Sequence, residues 1–158
     1  MTRLLDSKIR QRTFIAAPPE KVYDTLTSAR SWDAFFTTDM ELDPKPGGVC
    51  SFSWKDWGPD KYTLKVPGEV IEARRPDLFA FHWGSGEKQT TIRIELAAVE
   101  NGTVLTLTED GYRDTPEDRS MIVECASGWG EAMTLLKFFI EHGIVYDSAV
   151  AADHTKRH

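Results

Sequence analysis

Alternating apolar and polar residues mark several strands along the chain. The alternation is clear in residues 9–15, 78–83 and 90–96. The dipeptide Asn101-Gly102 is a strong hairpin signal, and a further strand follows it in residues 103–108. Shorter strand-like stretches bounded by turn residues are residues 39–42, 49–54 and 61–73, the last interrupted at Pro67-Gly68. These patterns predict a sheet of about seven strands.

Helical spacing of apolar residues occurs in three segments. Residues 19–27 follow two prolines, and residues 28–36 begin with the capping residue Ser28. Residues 117–142 form the longest candidate, with Thr115 as its cap and Gly143 as its stop. At helical spacing, one stripe of this segment contains Met121, Ile122, Cys125, Trp129, Ala132, Leu136, Phe139 and Ile140. The pattern predicts a long C-terminal helix that packs this stripe on the sheet.

This order of elements resembles the START-like superfamily, also called helix-grip or SRPBCC, and within it the branch of the heat-shock-protein-90 ATPase activator homologues. The likeness runs from about Lys8 to Gly143. The residues that carry it are 15–23, Pro46-Gly47-Gly48, 68–72, 76–83, 101–109 and Gly128-Trp129 with Leu135, Leu136 and Phe139.

The resemblance implies an α+β helix-grip (Bet v 1/START-like) fold. In that fold a curved antiparallel sheet wraps around a long C-terminal helix, two short helices follow the first strand, and an apolar pocket lies between sheet and helix. We therefore expect a single domain over residues 1–148 and a disordered tail over residues 149–158. The resemblance also implies a possible homodimer.

Composition narrows the range of partners. The chain has 19 Lys and Arg residues against 25 Asp and Glu residues, a net charge of −6, and no basic stripe, so nucleic acid is not an expected partner. It contains neither a signal peptide nor an apolar run of membrane-spanning length, and its two cysteines suit free thiols. A cytoplasmic protein without a membrane partner is expected. The four histidines lack metal-binding spacing, so no metal or other cofactor is predicted.

The alternation of residues 103–108, continued by one step, places Glu109 on the inner face of the sheet. A carboxylate on an apolar face is costly unless it is paired, hydrated or hydrogen-bonded. Two interpretations follow. Either Glu109 lies at the rim of the sheet, meeting water or Arg113, or it is a polar group of the pocket.

Aromatic residues on the inner face are candidates for the pocket wall, because tryptophan and tyrosine combine a large apolar face with one hydrogen-bonding group. The run 125–130 adds small residues that either leave space for a ligand or bring the helix close to the sheet. The predicted ligand-binding residues are Phe36, Phe52, Trp54, Trp57, Tyr62, Phe81, Trp83, Glu109, Cys125, Trp129 and Met133.

Three functions fit these residues. The first is the binding of a small hydrophobic or amphipathic molecule in a pocket between the sheet and the C-terminal helix. The second is a cyclase- or hydrolase-type enzyme of the same superfamily, in which Glu109 acts as acid or base with help from Tyr62 or His82. The third is a protein-interaction module, including one linked to a chaperone, which would use an outer surface.

Overall fold

Residues 2–147, which the computed structural model describes, form eight strands, three α-helices and one short 3-10 turn at Gly86–Lys88. The strands are β1 (Ile9–Ile15), β2 (Glu41–Leu42), β3 (Cys50–Trp57), β4 (Tyr62–Val66), β5 (Gly68–Arg74), β6 (Leu78–Trp83), β7 (Thr90–Val99) and β8 (Gly102–Asp110). The helices are α1 (Pro19–Leu26), α2 (Ala29–Phe35) and α3 (Pro116–His142). The predicted order of elements is confirmed. The predicted tail lies outside the described residues.

All strand pairs are antiparallel, and they form two connected sheets. Five strands follow the order β1-β8-β7-β6-β5, and three follow the order β2-β3-β4. The sheets meet where β3 approaches β5, through the bridge between Val49 and Glu69 and a backbone hydrogen bond from the Val70 N–H to the Gly48 carbonyl. The result is one curved antiparallel surface facing α3, as the helix-grip fold requires.

The single strand predicted over residues 61–73 is two strands, β4 and β5, which belong to different sheets. Pro67 separates them and has no N–H to offer to a strand ladder. Gly68, the next residue, lies between the backbone carbonyls of Cys50 in β3 and His82 in β6, where no side chain would fit. The interruption therefore marks the point at which the chain passes from one sheet to the other.

Both predicted caps of α3 are present. The Thr115 side chain accepts a hydrogen bond from the Asp118 N–H at 3.2 Å, and Gly143 ends the helix in the left-handed conformation with φ 67°. Ser28 caps α2 in the same way, accepting from the Ser31 N–H. Local sequence signals thus determine where these helices begin and end.

The apolar stripe of α3 is not buried to the same extent along its whole length. In the second half of the helix Trp129, Ala132, Met133, Leu136 and Ile140 are buried. In the first half Met121 is 48% exposed, and Ile122 and Cys125 are only partly buried. The first half of α3 therefore presents apolar side chains to a space that the sheet does not fill.

The core lies between the sheet and the second half of α3. Inward-facing residues predicted from strand alternation, including Phe52, Phe79, Phe81, Ile92 and Leu105, are fully or almost fully buried. None of the helices within residues 2–147 is both long enough and apolar enough to cross a membrane.

Candidate functional site

A cavity of about 350 Å³ opens between the first half of α3 and the strands opposite it. Its volume lies near the lower end of the range of ~300–1,000 Å³ that small-molecule sites occupy. Phe36, Trp54 and Trp129 form buried parts of the wall, whereas Tyr62 and Leu64 are about half exposed. The full lining is Phe36, Trp54, Tyr62, Leu64, Trp83, Met121, Glu124, Cys125, Gly128 and Trp129.

A bulge in β3 determines how two of the tryptophans point. The pairing of β3 with β4 shifts register between Trp54 and Trp57, and Asp56 within the bulge has φ 50°. On a regular strand, residues three apart face opposite sides of the sheet. Because of the bulge, Trp54 and Trp57 both pack edge-on against Phe36, each with ring centroids 5.4 Å apart. Only Trp54 also reaches the cavity.

The aromatic wall is continuous from the sheet to the helix. Trp129 of α3 lies 5.1 Å from Trp83 of β6, measured between ring centroids. Trp83 lies 6.2 Å from Trp54, and Trp54 lies 6.3 Å from Tyr62. Edge-to-face and tilted contacts at these distances stabilise aromatic pairs beyond their buried area. The wall is therefore a preorganised apolar surface.

Two glycines of the small-residue run in α3 have different roles, and both predicted interpretations of the run apply. A Cβ built on Gly128 would meet nothing within 4 Å, so this residue borders open cavity space. A Cβ on Gly130 would lie 3.6 Å from the Gln11 side chain of β1, and the Gln11 amide donates to the Ala126 carbonyl at 3.1 Å. The helix thus leaves space at Gly128 and approaches the sheet closely at Gly130.

Glu109 is fully buried and accepts three hydrogen bonds from three different parts of the chain. Trp129 Nε1 donates to Oε1 at 2.8 Å, Thr90 Oγ1 donates to Oε2 at 2.5 Å, and the Tyr112 hydroxyl donates to Oε2 at 2.8 Å. Three donors can satisfy the acceptor capacity that burial would otherwise leave unmet. Glu109 therefore ties α3 to β7 and β8 and fixes the Trp129 indole in the cavity wall.

This geometry corrects the interpretation that Glu109 lies at the sheet rim. Arg113, its expected partner there, bonds instead to Asp118 at 3.3 Å. Tyr112 folds back over the end of β8 after a turn at Gly111, and Trp129 covers the carboxylate from the helix. The Glu109 side chain is therefore enclosed although the strand ends one residue later. Glu109 is also absent from the cavity lining, because the indole of Trp129 forms the wall there.

The two thiols occupy different environments. Cys50 is buried in the core, whereas Cys125 borders the cavity. Burial raises the pKa of the Cys125 thiol, a hydrogen bond with Tyr112 opposes the rise, and the carboxylates of Glu109 and Glu124 add to it. Burial and the Glu109 carboxylate raise the pKa of Tyr112 well above its usual value. Both groups are therefore neutral near pH 7, which suits an apolar wall.

Burial raises the pKa of Cys50 from 9.0 to about 12. The folded state thus favours the neutral thiol, and this stabilisation is present below pH 9 and lost as the pH rises toward 12. Between about pH 9 and 11, the unfolding free energy of the wild type should fall more steeply than that of Cys50→Ala, by up to about 1.4 kcal/mol per pH unit. Urea unfolding in the presence of a reductant measures both slopes, and parallel slopes would contradict the effect.

Charge is distributed unevenly around the cavity. Glu124 is the acidic member of the lining, and no Lys, Arg or His belongs to it. Glu131 adds a negative field at Tyr62, where burial first and then this charge raise the tyrosine pKa. Within residues 2–147 no group of three or more His, Cys, Asp or Glu side chains could hold a metal ion. The mouth of the cavity therefore carries negative charge on an apolar surface.

The structure brings together six of the predicted ligand-binding residues on the cavity wall. These are Phe36, Trp54, Tyr62, Trp83, Cys125 and Trp129. The other five lie outside this lining. Phe52 and Phe81 are fully buried behind it, and Glu109 lies behind Trp129. Trp57 packs on Phe36 and Tyr146, and Met133 borders a separate depression beside β1.

Four lining residues were missed by the prediction of the wall. Leu64 shares a strand face with Tyr62, and Met121 belongs to the helical stripe, so both carried a usable signal. Gly128 lies in the small-residue run 125–130, of which Cys125 and Trp129 were predicted as wall residues and Gly128 was not. Glu124 lies outside the predicted apolar stripe of α3 and offered no signal, and its exposed side chain reaches only the cavity mouth.

Comparison with solved structures identifies the same fold in several bacterial proteins. A structure from Rhodobacter sphaeroides has 26% identity, with coverage of 89% of this chain and 97% of that chain and a TM-score of 0.71. The solution structure of the Aha1 dimer from Colwellia psychrerythraea has 21% identity, coverage of 87% and 98%, and a TM-score of 0.72. The crystal structure of DynU16, from the dynemicin biosynthetic locus, has 20% identity and a TM-score of 0.74, with coverage of 90% of this chain and 51% of DynU16.

Comparison of sequences gives a family. No curated protein matches the chain at a significant level. The model of the family described as activator of Hsp90 ATPase homolog 1-like protein matches residues 16–141, well over half of the chain. The protein therefore belongs to the activator of Hsp90 ATPase homolog 1-like family.

Proposed function

We propose that this protein binds a small hydrophobic or amphipathic molecule in the cavity between the sheet and the first half of α3. The observation that carries the proposal is the open space at Gly128, bordered by three tryptophans and lacking a side chain to fill it. Apolar walls with a few polar groups are typical of small-molecule sites. The partly exposed residues Tyr62, Leu64 and Met121 at the mouth would contact the end of a ligand nearest to solvent.

The enzyme alternative has less support than binding. It requires Glu109 to reach a substrate with help from Tyr62 or His82, yet the hydrogen-bond donors to Glu109 are Thr90, Tyr112 and Trp129. His82 instead lies 3.4 Å from the Thr91 hydroxyl. With three donors in place and no position on the cavity lining, the carboxylate serves the structure of the wall. No reaction is therefore proposed.

A chaperone-linked role, a homodimer and a cytoplasmic location were also expected from the sequence. A chaperone-linked role rests on the family description alone. The dimer from Colwellia psychrerythraea makes a homodimer a reasonable proposal, although that state belongs to the relative. A cytoplasmic location likewise stays a prediction.

Filling the cavity should abolish binding without unfolding the protein. Gly128→Leu introduces a side chain where the structure has open space, and it replaces a helix-interior glycine, which by itself stabilises a helix by about 0.5–1 kcal/mol. A panel of small lipophilic compounds, screened by native mass spectrometry and thermal shift, should stabilise the wild type. At a concentration 100 times the Kd, a ligand adds about 2.7 kcal/mol of stability. Gly128→Leu should show no such gain.

Gly128→Ala is the matched control. It provides a similar gain in helix stability while occupying little of the cavity, so it should retain ligand binding. Equal ligand stabilisation of the wild type and Gly128→Leu would place the ligand outside the cavity and overturn the proposal.

A further inference from the structure

Two carboxylates of α3 flank the open space at Gly128. Glu124 is one helical turn before Gly128 and Glu131 is one turn after it, so the three positions share one face of the helix. The helical rise separates the two glutamates by about 10 Å along the axis. Glu124 belongs to the cavity lining, and Glu131 acts electrostatically on Tyr62, another lining residue. Acidic groups therefore border the position at which the helix leaves room for a ligand.

Neither of these glutamates has a basic partner. Glu124 and Glu131 are exposed, and they form no ion pair with any of residues 2–147. The positions one turn away from them on α3 are Ser120, Met121, Ser127, Gly128, Thr134 and Leu135. Glu41, by contrast, pairs with Lys65 at 2.8 Å. The cavity mouth therefore keeps a negative charge that its neighbours do not offset.

The electrostatic field has the same sign further along the wall. Burial raises the pKa of two lining side chains, Tyr62 and Cys125, and the charges that add to this rise are all acidic. They are Glu131 at Tyr62, and Glu109 and Glu124 at Cys125. Within residues 2–147 no Lys, Arg or His belongs to the lining. An anionic ligand would therefore be repelled here, and a cationic one attracted.

The aromatic rings of the wall suit a positive charge as well. Tryptophan and tyrosine rings attract cations to their faces, tryptophan most strongly. Three tryptophans and Tyr62 belong to the lining, and Tyr62 is 42% exposed at the mouth. A positively charged group at the mouth could stay partly hydrated beside Glu124 and Tyr62 while an apolar body contacts the tryptophans. This arrangement avoids the cost of burying a charge completely.

We propose that the ligand is an amphipathic organic cation, whose apolar part occupies the aromatic cavity and whose ammonium-type head lies at the mouth beside Glu124. This inference rests on the proposed function and adds the chemical class of the ligand. Glu124 is the residue that selects the charge of the ligand. Glu131 adds a weaker attraction, because it lies outside the lining.

Three probes with the same benzyl body separate charge from shape. Benzyltrimethylammonium carries a cationic head, phenylmethanesulfonate an anionic one, and neopentylbenzene a neutral tert-butyl head shaped like trimethylammonium. The wild type should bind the cation roughly fivefold to twentyfold more tightly than the anion, since only the cation is attracted at the mouth. Neopentylbenzene should bind through its apolar surface alone. Isothermal titration calorimetry measures the three affinities, and added salt should reduce the preference for the cation.

Glu124→Gln keeps the size of the side chain and removes its charge. It should weaken cation binding roughly twofold to fivefold, the range of one exposed ion pair, strengthen anion binding, and leave neopentylbenzene binding unchanged. Glu131→Gln should act in the same direction with a smaller effect. Glu100→Gln is the matched control, because it makes the same change of net charge in the exposed turn between β7 and β8, outside the lining. It should leave all three affinities unchanged.

The position of the charged head can be observed directly in the wild type. The nine equivalent methyl protons of benzyltrimethylammonium give one sharp NMR signal, distinct from the signals of its phenyl ring. The methyl protons should show nuclear Overhauser effects to the Tyr62 ring, and the phenyl protons should show them to the buried Trp129 ring. The reverse pattern would overturn the placement of the head at the mouth.

The outcomes separate this inference from the function on which it rests. Equal affinity for the cation and the anion, unchanged by Glu124→Gln, would overturn the charge requirement, and cavity binding would stand if neopentylbenzene still bound the wild type. Retention of cation binding by Gly128→Leu would place the cation on the acidic protein surface and overturn the inference. Failure of all three probes to bind the wild type would count against the proposed function and this inference together.

Discussion

Replacing Glu109 with leucine should destabilise the protein by about 3–5 kcal/mol, because the change removes the buried acceptor that three donors share. The donors are the Trp129 indole, the Thr90 hydroxyl and the Tyr112 hydroxyl, all within 2.8 Å of the carboxylate. A loss of this size is a large part of the 5–15 kcal/mol that stabilises a typical domain. Urea unfolding followed by circular dichroism measures it.

Glu109→Gln is the matched variant and should be much milder, with a loss of about 1–2 kcal/mol. The amide oxygen can still accept from Trp129, and the two hydroxyls can rotate to accept from the amide NH₂ group. If leucine were tolerated as well as glutamine, Glu109 would not be the acceptor that holds α3 against the sheet. Glutamine keeps the test informative even if the leucine variant does not fold.

Gly68→Ala should also destabilise the protein strongly, lowering its free energy of unfolding by about 3 kcal/mol. A Cβ at this position would lie 2.5 Å from the Cys50 carbonyl oxygen and even closer to the His82 carbonyl oxygen. Both neighbours are backbone atoms in hydrogen-bonded strands, so neither can move without disturbing a ladder. The substitution would push β3 and β6 apart where the two sheets join. A lower urea midpoint is the expected result.

The same substitution at Gly128 should have the opposite effect on stability. Gly128→Ala adds a methyl group to an uncrowded position inside a helix and should stabilise the protein by about 0.5–1 kcal/mol. The pair therefore separates the effect of close backbone approach from the general effect of replacing glycine. Two changes of equal sign and size would refute the steric account of Gly68.

The sequence predicts the fold of this protein well because its signals are local. Strand alternation, the caps at Ser28 and Thr115, and the stop at Gly143 lie within a few residues of the features that they determine. The order of those elements was sufficient for the family assignment, which the match over residues 16–141 confirms. The division of residues 61–73 between two sheets was missed, since it depends on contacts of Gly68 with two other strands.

The cavity wall was harder to predict than the fold. Alternation identifies which residues lie on the inner face of the sheet, but not whether they pack against other side chains or border open space. Phe81 and Trp83 share one face of β6, yet Phe81 is fully buried by neighbouring rings and Trp83 borders the cavity. The burial of Glu109 was equally hidden, since it depends on Trp129, 20 residues away in sequence. When an element that is distant in sequence covers a residue, the local sequence around that residue does not predict its burial.

Because tryptophans cluster around the cavity, the intrinsic optical signal of the protein should respond to a molecule that enters it. Trp54, Trp83 and Trp129 line the space, whereas Trp32 and Trp57 do not. Near-ultraviolet circular dichroism depends on the packing around aromatic chromophores, and three of the five tryptophans in this chain would contact any molecule that enters the cavity. Occupancy can therefore be followed in the unmodified protein, by a signal that arises within the binding wall itself.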